Sequence, residues 1–225
     1  GGTGISTGAV TGFGSVKMYE AEYRTDNAVK MVNGMDNSAG RDADVFRVGM
    51  VVTVRFNVDD NNAAEIDYED SLKGPIAAID PADNTITVLG QPVVVDNAAM
   101  FGSLADNNVV AVSGFADNAG LIRATLVDRK GPMPHHGDEF EIRGFVSGLS
   151  TTDNTFFLGP LPDGAGAKVK VSYTANAVRD LQGGPANGRY VKVKTFDPAP
   201  AGGEISADKV ETAVELRLNL AEAPL

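Results

Sequence analysis

The sequence predicts an all-β protein made of small tandem barrels. Valine-rich runs are separated by Gly, Pro and Asp-Asn pairs, which is typical of short strands joined by tight turns. One turn and strand is written twice, as ADNTITVLG at 82–90 and as TDNTFFLG at 152–159. The repetition seventy positions apart indicates an internal duplication. We therefore expect one β-sheet unit to occur several times along the 225 residues.

The middle repeat, residues 71–131, supplies five predicted strands. Turn residues separate them, as in PADN at 81–84, where Pro fixes φ and Asp and Asn hydrogen-bond to nearby backbone. The predicted elements are, in order, LKGPIAAID (72–80), TITVLG (85–90), PVVVD (92–96), a connection with one helical turn (97–104), NVVAVSGF (108–115) and LIRATLVD (121–128).

The third repeat, residues 137–213, follows from the second by a shift of seventy positions. Farther along, insertions change the offset, as expected of surface loops. The aligned pairs are Leu72 with Ile142, Gly74 with Gly144, Ile76 with Val146, Ile79 with Leu149, Ile86 with Phe156, Leu104 with Leu181, Ile122 with Ile205 and Val127 with Val210.

The first repeat, residues 1–70, is more divergent. TGAVTGFG at 7–14 resembles the first strand, and MVVTVRF at 50–56 resembles the fourth. AAEIDYED at 63–70 is predicted as the fifth strand, with Ala64, Ile66 and Tyr68 on one face. A long polar insertion occupies 31–49. Five strands with a short connection between the third and fourth predict an OB-like barrel for each repeat, with sandwich-type repeats as the alternative.

Three stretches resemble a known family. GGTGISTGAVTGFGSV near the start, LKGPIAAID with TITVLGQPVVVD in the middle, and IRGFVSGL later are similar to bacterial proteins grouped under the domain of unknown function 5666. The resemblance implies tandem copies in an exported protein, often a lipoprotein with Gly-rich residues after its lipidated Cys. This chain begins at Gly1 and contains no Cys. We therefore expect location in the periplasm, at the outer membrane surface or outside the cell, with membrane attachment only by a lipid anchor not present in this chain.

Composition narrows the partners. The net charge of −11 repels phosphate backbones, so nucleic acid is not an expected partner. No apolar run approaches the roughly 20 residues that a membrane-spanning helix needs. Both histidines lie in one segment, so general acid–base catalysis has few candidates, and we expect no enzyme activity. Ser6 in GISTG matches a nucleophile pattern formally, but it lacks the strand before and the helix after that the pattern requires.

Two groups of residues are candidate metal ligands, and no other cofactor is expected. MPHHGDE contains Met133, His135, His136 and Asp138, which are ligand types for copper or zinc. Adjacent histidines on extended backbone point in opposite directions, which favours a linker instead. The candidate calcium ligands are the aspartates of two oxygen-rich loops, Asp36, Asp42, Asp44, Asp59 and Asp60, although EF-hand spacing is absent.

The C-terminal strand extension, 214–225, is the strongest functional signal. VETAVELRLNL at 210–220 alternates with period two and is long for a strand. Its apolar face, which includes Val214, Leu216, Leu218 and Leu220, must be buried on this chain or against another subunit. The Gly-rich segment 1–8 also needs a partner to be ordered. We expect a structural or assembly protein whose partner is another protein or its own copies; a metal- or glycan-binding envelope lipoprotein is the alternative.

Overall fold

A computed structural model describes residues 1–19, 21–197 and 203–213. The chain is nearly all β, so the predicted all-β class is confirmed, while the three tandem repeats stay a prediction. It divides after Asp70 into two compact units. The predicted assembly strand, with Val214, Leu216, Leu218 and Leu220, lies outside the described residues.

The first unit, residues 1–70, begins its first strand earlier than predicted, at Thr3 instead of residue 7. The polar insertion at 31–49 holds one very short strand and one helical turn. The elements are β1 Thr3–Gly12, β2 Val16–Met18, β3 Ala21–Tyr23, β4 Val29–Val32, β5 Met35–Asp36, α1 Asp42–Val45, β6 Val51–Asn57 and β7 Ala63–Tyr68.

The sheet of this unit has the order β3-β2-β1-β6-β7-β4-β5. Its only parallel strand pair among the described residues is β4 with β7, and a parallel bridge from Arg24 to Asn62 brings the end of β3 beside β7. The predicted inward face of β7 is wrong at Ala64, which is exposed while Ala63 is buried. A bulge causes this, because Arg55 pairs with Glu65 and the next residue of β6 pairs with Ala63, which skips Ala64.

The middle repeat forms a closed five-stranded barrel. Its strands pair in the cyclic order β8-β9-β10-β12-β11-β8, with β10 and β12 parallel. This is the OB-like arrangement, and the predicted helical turn lies between the third and fourth strands. Asn97 caps that helix by accepting the Met100 N–H at 2.9 Å. The elements are β8 Leu72–Asp80, β9 Thr85–Val88, β10 Gln91–Val94, α2 Ala98–Gly102, β11 Val109–Ala116 and β12 Ile122–Gly131.

The third repeat follows the same path with a fifth strand in two pieces. β15 pairs in parallel with β18, and β19 pairs antiparallel with β17, which returns to β13. Ala207 and Asp208 separate the two pieces. The elements are β13 Phe140–Ser150, β14 Thr155–Gly159, β15 Val169–Ser172, a 3-10 turn Ala175–Ala177, β16 Val178–Arg179, β17 Tyr190–Thr195, β18 Glu204–Ser206 and β19 Lys209–Thr212.

The three first strands meet their fourth strands in equivalent registers. In each case a glycine of the first strand (β1, β8 or β13) lies opposite a valine of its partner strand (β6, β11 or β17). The residue two positions before that glycine lies opposite a second valine, two positions after the first. The origin of this likeness by duplication stays a prediction. The corresponding pairs are Gly8 with Val52, Gly74 with Val110 and Gly144 with Val191, and then Ser6 with Val54, Leu72 with Val112 and Ile142 with Val193.

The middle and third repeats are joined by main-chain pairing. β8 and β13 lie antiparallel, so all twelve strands from β8 to β19 belong to one sheet network. One hydrophobic cluster also runs through both repeats and includes fully buried Ile76, Ile86, Val146, Phe156 and Ile205. Residues 71–213 therefore behave as one packed unit with two barrel cores in contact. No helix among the described residues is long and apolar enough to cross a membrane.

Candidate functional site

The candidate copper or zinc residues lie in the segment between β12 and β13. Met133, His135 and His136 are all exposed there. The His135 N–H donates to Asp138 Oδ2 at 2.8 Å, and the Asp138 N–H donates to the His135 carbonyl at 3.1 Å. These two bonds describe a closed polar turn, and metal binding at these residues stays a prediction.

The candidate calcium ligands of the polar insertion have protein partners. Asp42 pairs with the Lys30 ammonium at 2.8 Å, and both of these side chains are largely buried. Asp44 pairs with Arg41 at 2.9 Å on the surface. Asp36 accepts the Ser38 hydroxyl and N–H, and these hydrogen bonds lower the pKa of Asp36. The three carboxylates thus stabilise the loop around α1.

The second calcium candidate, Asp59 with Asp60, lies in the turn between β6 and β7. Asp60 accepts the Asn62 N–H at 2.9 Å, and the Asp59 N–H donates to Asn57 Oδ1 at 2.9 Å. Within residues 1–19, 21–197 and 203–213, no group of three or more His, Asp or Glu is arranged to hold a metal ion. Calcium binding at either loop stays a prediction.

Ser6 does not occupy a nucleophile position. It lies in the middle of β1 opposite Val54, and only 1% of the residue is exposed. A nucleophile elbow instead exposes its Ser on a sharp turn from a strand into a helix. The GISTG stretch is therefore part of strand β1, which pairs with β6.

The edge that joins β8 to β13 has a local twofold character. Leu72 lies opposite Ile142, Lys73 lies opposite Glu141, and the Arg143 N–H donates to the Ser71 carbonyl at 3.1 Å. Under the shift of seventy, Leu72 and Ile142 are the same position of the repeat. The two first strands therefore present the same edge to each other, as in an isologous contact between identical subunits.

The corresponding edge of β1 has no strand beside it among the described residues. Val10 exchanges backbone hydrogen bonds with the β6 side, to Met50 and from Gly49, so even-numbered residues of β1 direct their backbone groups toward β6. The groups of Thr3, Ile5 and Thr7 then point to the opposite side. β2 pairs with β1 only from Val10 onward. We call the outward backbone groups of Thr3, Ile5 and Thr7 the β1 edge.

The β1 edge lacks the features that usually protect an exposed strand. Natural proteins place charges or prolines on such edges, whereas residues 1–16 contain no charged side chain and no proline. Ile5 is 60% exposed, and its side chain lies on the face of β1 opposite to buried Ser6 and Val10. An uncharged strand with an exposed isoleucine is suited to main-chain pairing with another strand.

Beside the β8–β13 junction, seven charged side chains form a continuous chain of ion pairs. The signs alternate along it, and the outer face of β13, β17 and β19 carries most of its members. Successive nitrogen–oxygen distances lie between 3.2 and 3.9 Å. The order is Arg143, Glu141, Lys192, Glu211, Lys194, Glu139 and Lys209.

Burial shapes the electrostatics of this network. Desolvation raises the pKa of Glu141, and the neighbouring Arg143, Lys192 and Lys194 oppose that rise. Burial also raises the pKa of Tyr190, whose ring packs edge-on against Phe145 at 5.0 Å between centroids. The neighbouring cations therefore offset part of the cost of burying the Glu141 carboxylate.

Sequence reasoning missed both the β8–β13 junction and the ion-pair network. Alternating Lys and Glu on a strand predicts only a polar face, because partners on other strands are set by register. The absence of charge across residues 1–16 was the one available signal for the β1 edge. The expectation that residues 1–8 need a partner is met in part by β6, which pairs with Thr3–Ala9.

Comparison with known proteins identifies the middle barrel. Residues 73–128 match the model of a family described as a domain of unknown function, DUF5666. The matched segment runs from β8 into β12, so the resemblance noted in the sequence is confirmed over one repeat. No curated protein matches the chain.

Proposed function

We propose that this chain is a non-enzymatic, exported structural protein that self-associates through strand edges and termini at the cell envelope or outside the cell. The observation that carries the proposal is the β8–β13 junction. Two barrels of this type join there by main-chain pairing of their first strands. The same edge on β1 has no strand beside it among the described residues, so it can join a further barrel in the same way.

Self-association is tested by light scattering after size-exclusion chromatography over a wide range of protein concentration. We expect the mean mass of the full chain to rise with concentration beyond that of one 23.4 kDa chain. A chain that remains monomeric at every concentration would overturn the proposal.

The contribution of residues 214–225, the predicted strand extension, needs a truncation that leaves the third repeat intact. Residue 213 is the appropriate end, because Lys209–Thr212 form β19, which pairs with β17. We expect 1–213 to fold and to associate more weakly than the full chain. Equal association of both chains would exclude a role for residues 214–225, and the strand edges would then be the only proposed contact surface.

Export requires a separate test in cells that carry the complete gene. We expect the protein to be cleaved by protease added to intact or outer-membrane-permeabilised cells, while a cytoplasmic marker survives. Protection equal to that of the marker would contradict location outside the cytoplasm.

A further inference from the structure

We propose that the β1 edge pairs antiparallel with the β1 edge of a second copy of this chain, with Ser6 opposite Ser6 on a twofold axis. This deepens the proposed self-association, on which it rests, by naming the surface, the partner and the register. In this register Ile5 of one copy lies opposite Thr7 of the other.

The register follows from the junction inside the molecule. Leu72 and Ile142 face each other across the local twofold axis. On its other side, Leu72 pairs with Val112 of β11, and Ile142 pairs with Val193 of β17. Ser6 holds that position in the first unit, because it pairs with Val54 in the equivalent ladder. Placing Ser6 opposite Ser6 therefore repeats a contact that this barrel type already makes.

The backbone groups needed for the pairing are directed correctly. In the junction, the Arg143 N–H donates to the Ser71 carbonyl, and these backbone groups point away from β17 and β11 respectively. The equivalent positions in β1 are Ile5 and Thr7, whose groups point away from β6. The Ile5 N–H then donates to the partner's Thr7 carbonyl, and the Thr7 N–H donates to the partner's Ile5 carbonyl. The twofold axis doubles both hydrogen bonds.

The side chains suit an identical partner. Ile5 and Thr7 lie on the outer surface of the barrel, and β-branched pairs across strands are favourable. Pairing would cover the exposed Ile5 side chain of each copy. No charged side chain of residues 1–16 opposes its own counterpart across the axis, because that segment has none.

The register is tested with single cysteines, which is straightforward because the chain has no native Cys. Ile5→Cys and Thr7→Cys chains of different tagged mass are mixed and oxidised. Directly opposed positions of this kind lie about 5.5 Å apart between Cα atoms, within disulfide range. We expect a disulfide between the two different chains and little between identical ones.

The matched control is Thr3→Cys mixed with Thr7→Cys, since residue 3 would lie opposite residue 9. Cross-linking of this pair as efficiently as the Ile5–Thr7 pair, or absence of the Ile5–Thr7 disulfide, would overturn the register. If the disulfide appears only after residues 214–225 are removed, the chain's own C-terminal strand occupies the β1 edge, and the proposal fails for the full chain.

Proline at position 5 separates this inference from the proposed function. The Ile5 N–H faces away from β6, so Ile5→Pro, which removes that N–H, keeps the β1–β6 ladder. Each copy loses one donor, so the dimer loses two hydrogen bonds. We expect the dissociation constant to rise about 30-fold, with two-unit folding retained by circular dichroism. Thr7→Pro is the second variant and acts in the same way.

The outcomes distinguish the two proposals. Undiminished association of both folded proline variants would overturn the β1 dimer and leave self-association through another surface. A monomeric full chain would overturn both proposals. Ser6→Pro is the contrasting variant, because its N–H faces β6, and we expect it to disrupt the first unit itself.

Discussion

The first unit and residues 71–213 differ in what lies beside the first strand of each. In 71–213, the first strands of two barrels lie side by side, and Leu72 meets Ile142. In 1–70, β1 pairs with β6 and β2, and no described strand lies at its remaining edge. This strand order leaves one side of the first strand open to main-chain pairing, and in residues 71–213 a second first strand pairs there.

The two edges also differ in charge. The joined edge has Lys73 opposite Glu141 and Arg143 beside them, within a network that neutralises buried charge. The β1 edge is uncharged. Charges at a junction within one chain always have their partners present, whereas charged side chains on an edge that met a copy of itself would face like charges across the axis.

The largest expected effect comes from breaking the core of residues 71–213. Phe156→Ala removes a fully buried ring and should lower the free energy of unfolding by about 3–5 kcal/mol. The neighbouring Phe157 points outward and lies 5.4 Å from the Lys168 ammonium, so Phe157→Ala is the control, with a much smaller loss. Hydrogen exchange measures the effect residue by residue. Equal losses in the two variants would contradict the inward placement of Phe156.

Removing the buried end of the ion-pair network should have the next largest effect. Arg143→Met leaves Glu141 with only the more distant Lys192 ammonium, at 3.8 Å, and should cost about 3 kcal/mol, since breaking one side of a buried pair leaves the other charge poorly compensated. Arg41→Met in the first unit breaks an exposed pair with Asp44, and its effect on stability should be much smaller because water screens that pair. Denaturant unfolding of both variants checks the difference. Similar small losses would show that the network is solvated.

Gly74 and Gly144 hold equivalent positions in the middle and third repeats but have different surroundings. A Cβ at Gly144 would lie 2.6 Å from the Gly159 carbonyl oxygen, and backbone cannot move aside easily. A Cβ at Gly74 would lie 2.9 Å from the Leu89 side chain, which can adjust. We expect Gly144→Ala to cost about 2 kcal/mol and Gly74→Ala less, by thermal unfolding. The reverse order would contradict the close backbone approach in the third repeat.

The smallest expected effect is on pH dependence, and it has opposite signs in the two units. Burial raises the pKa of Glu141, so its contribution to stability is lost as pH rises from the unfolded pKa through the folded one. Ser38 lowers the pKa of Asp36, so that contribution is present above the unfolded pKa and is lost as pH falls. Carboxyl chemical shifts measured against pH report both groups. A Glu141 titration at or below the ordinary glutamate value would contradict its burial.

Much of the fold could be predicted because the signals are local. Turn residues such as Asp83-Asn84 and period-two valines mark the strands of the middle barrel, and its helical turn and strand order follow. The prediction that Ala64 lies on the inward face of β7 was wrong, because a bulge in the pairing of β7 with β6 changes the alternation there. The candidate metal and calcium residues were chosen by ligand type, and ligand type does not reveal that Asp42 already holds Lys30.

Neighbours along the chain specify which residues form strands and which faces of those strands are apolar, so these features could be predicted from the sequence. Which strand edges meet depends on the tertiary structure. The β8–β13 junction, the alternating network from Arg143 to Lys209 and the outward groups of Ile5 and Thr7 depend on register between distant strands. A shift of one residue in the pairing register would move every side chain of a strand to the opposite face of the sheet. No local sequence pattern specifies which register two strand edges adopt.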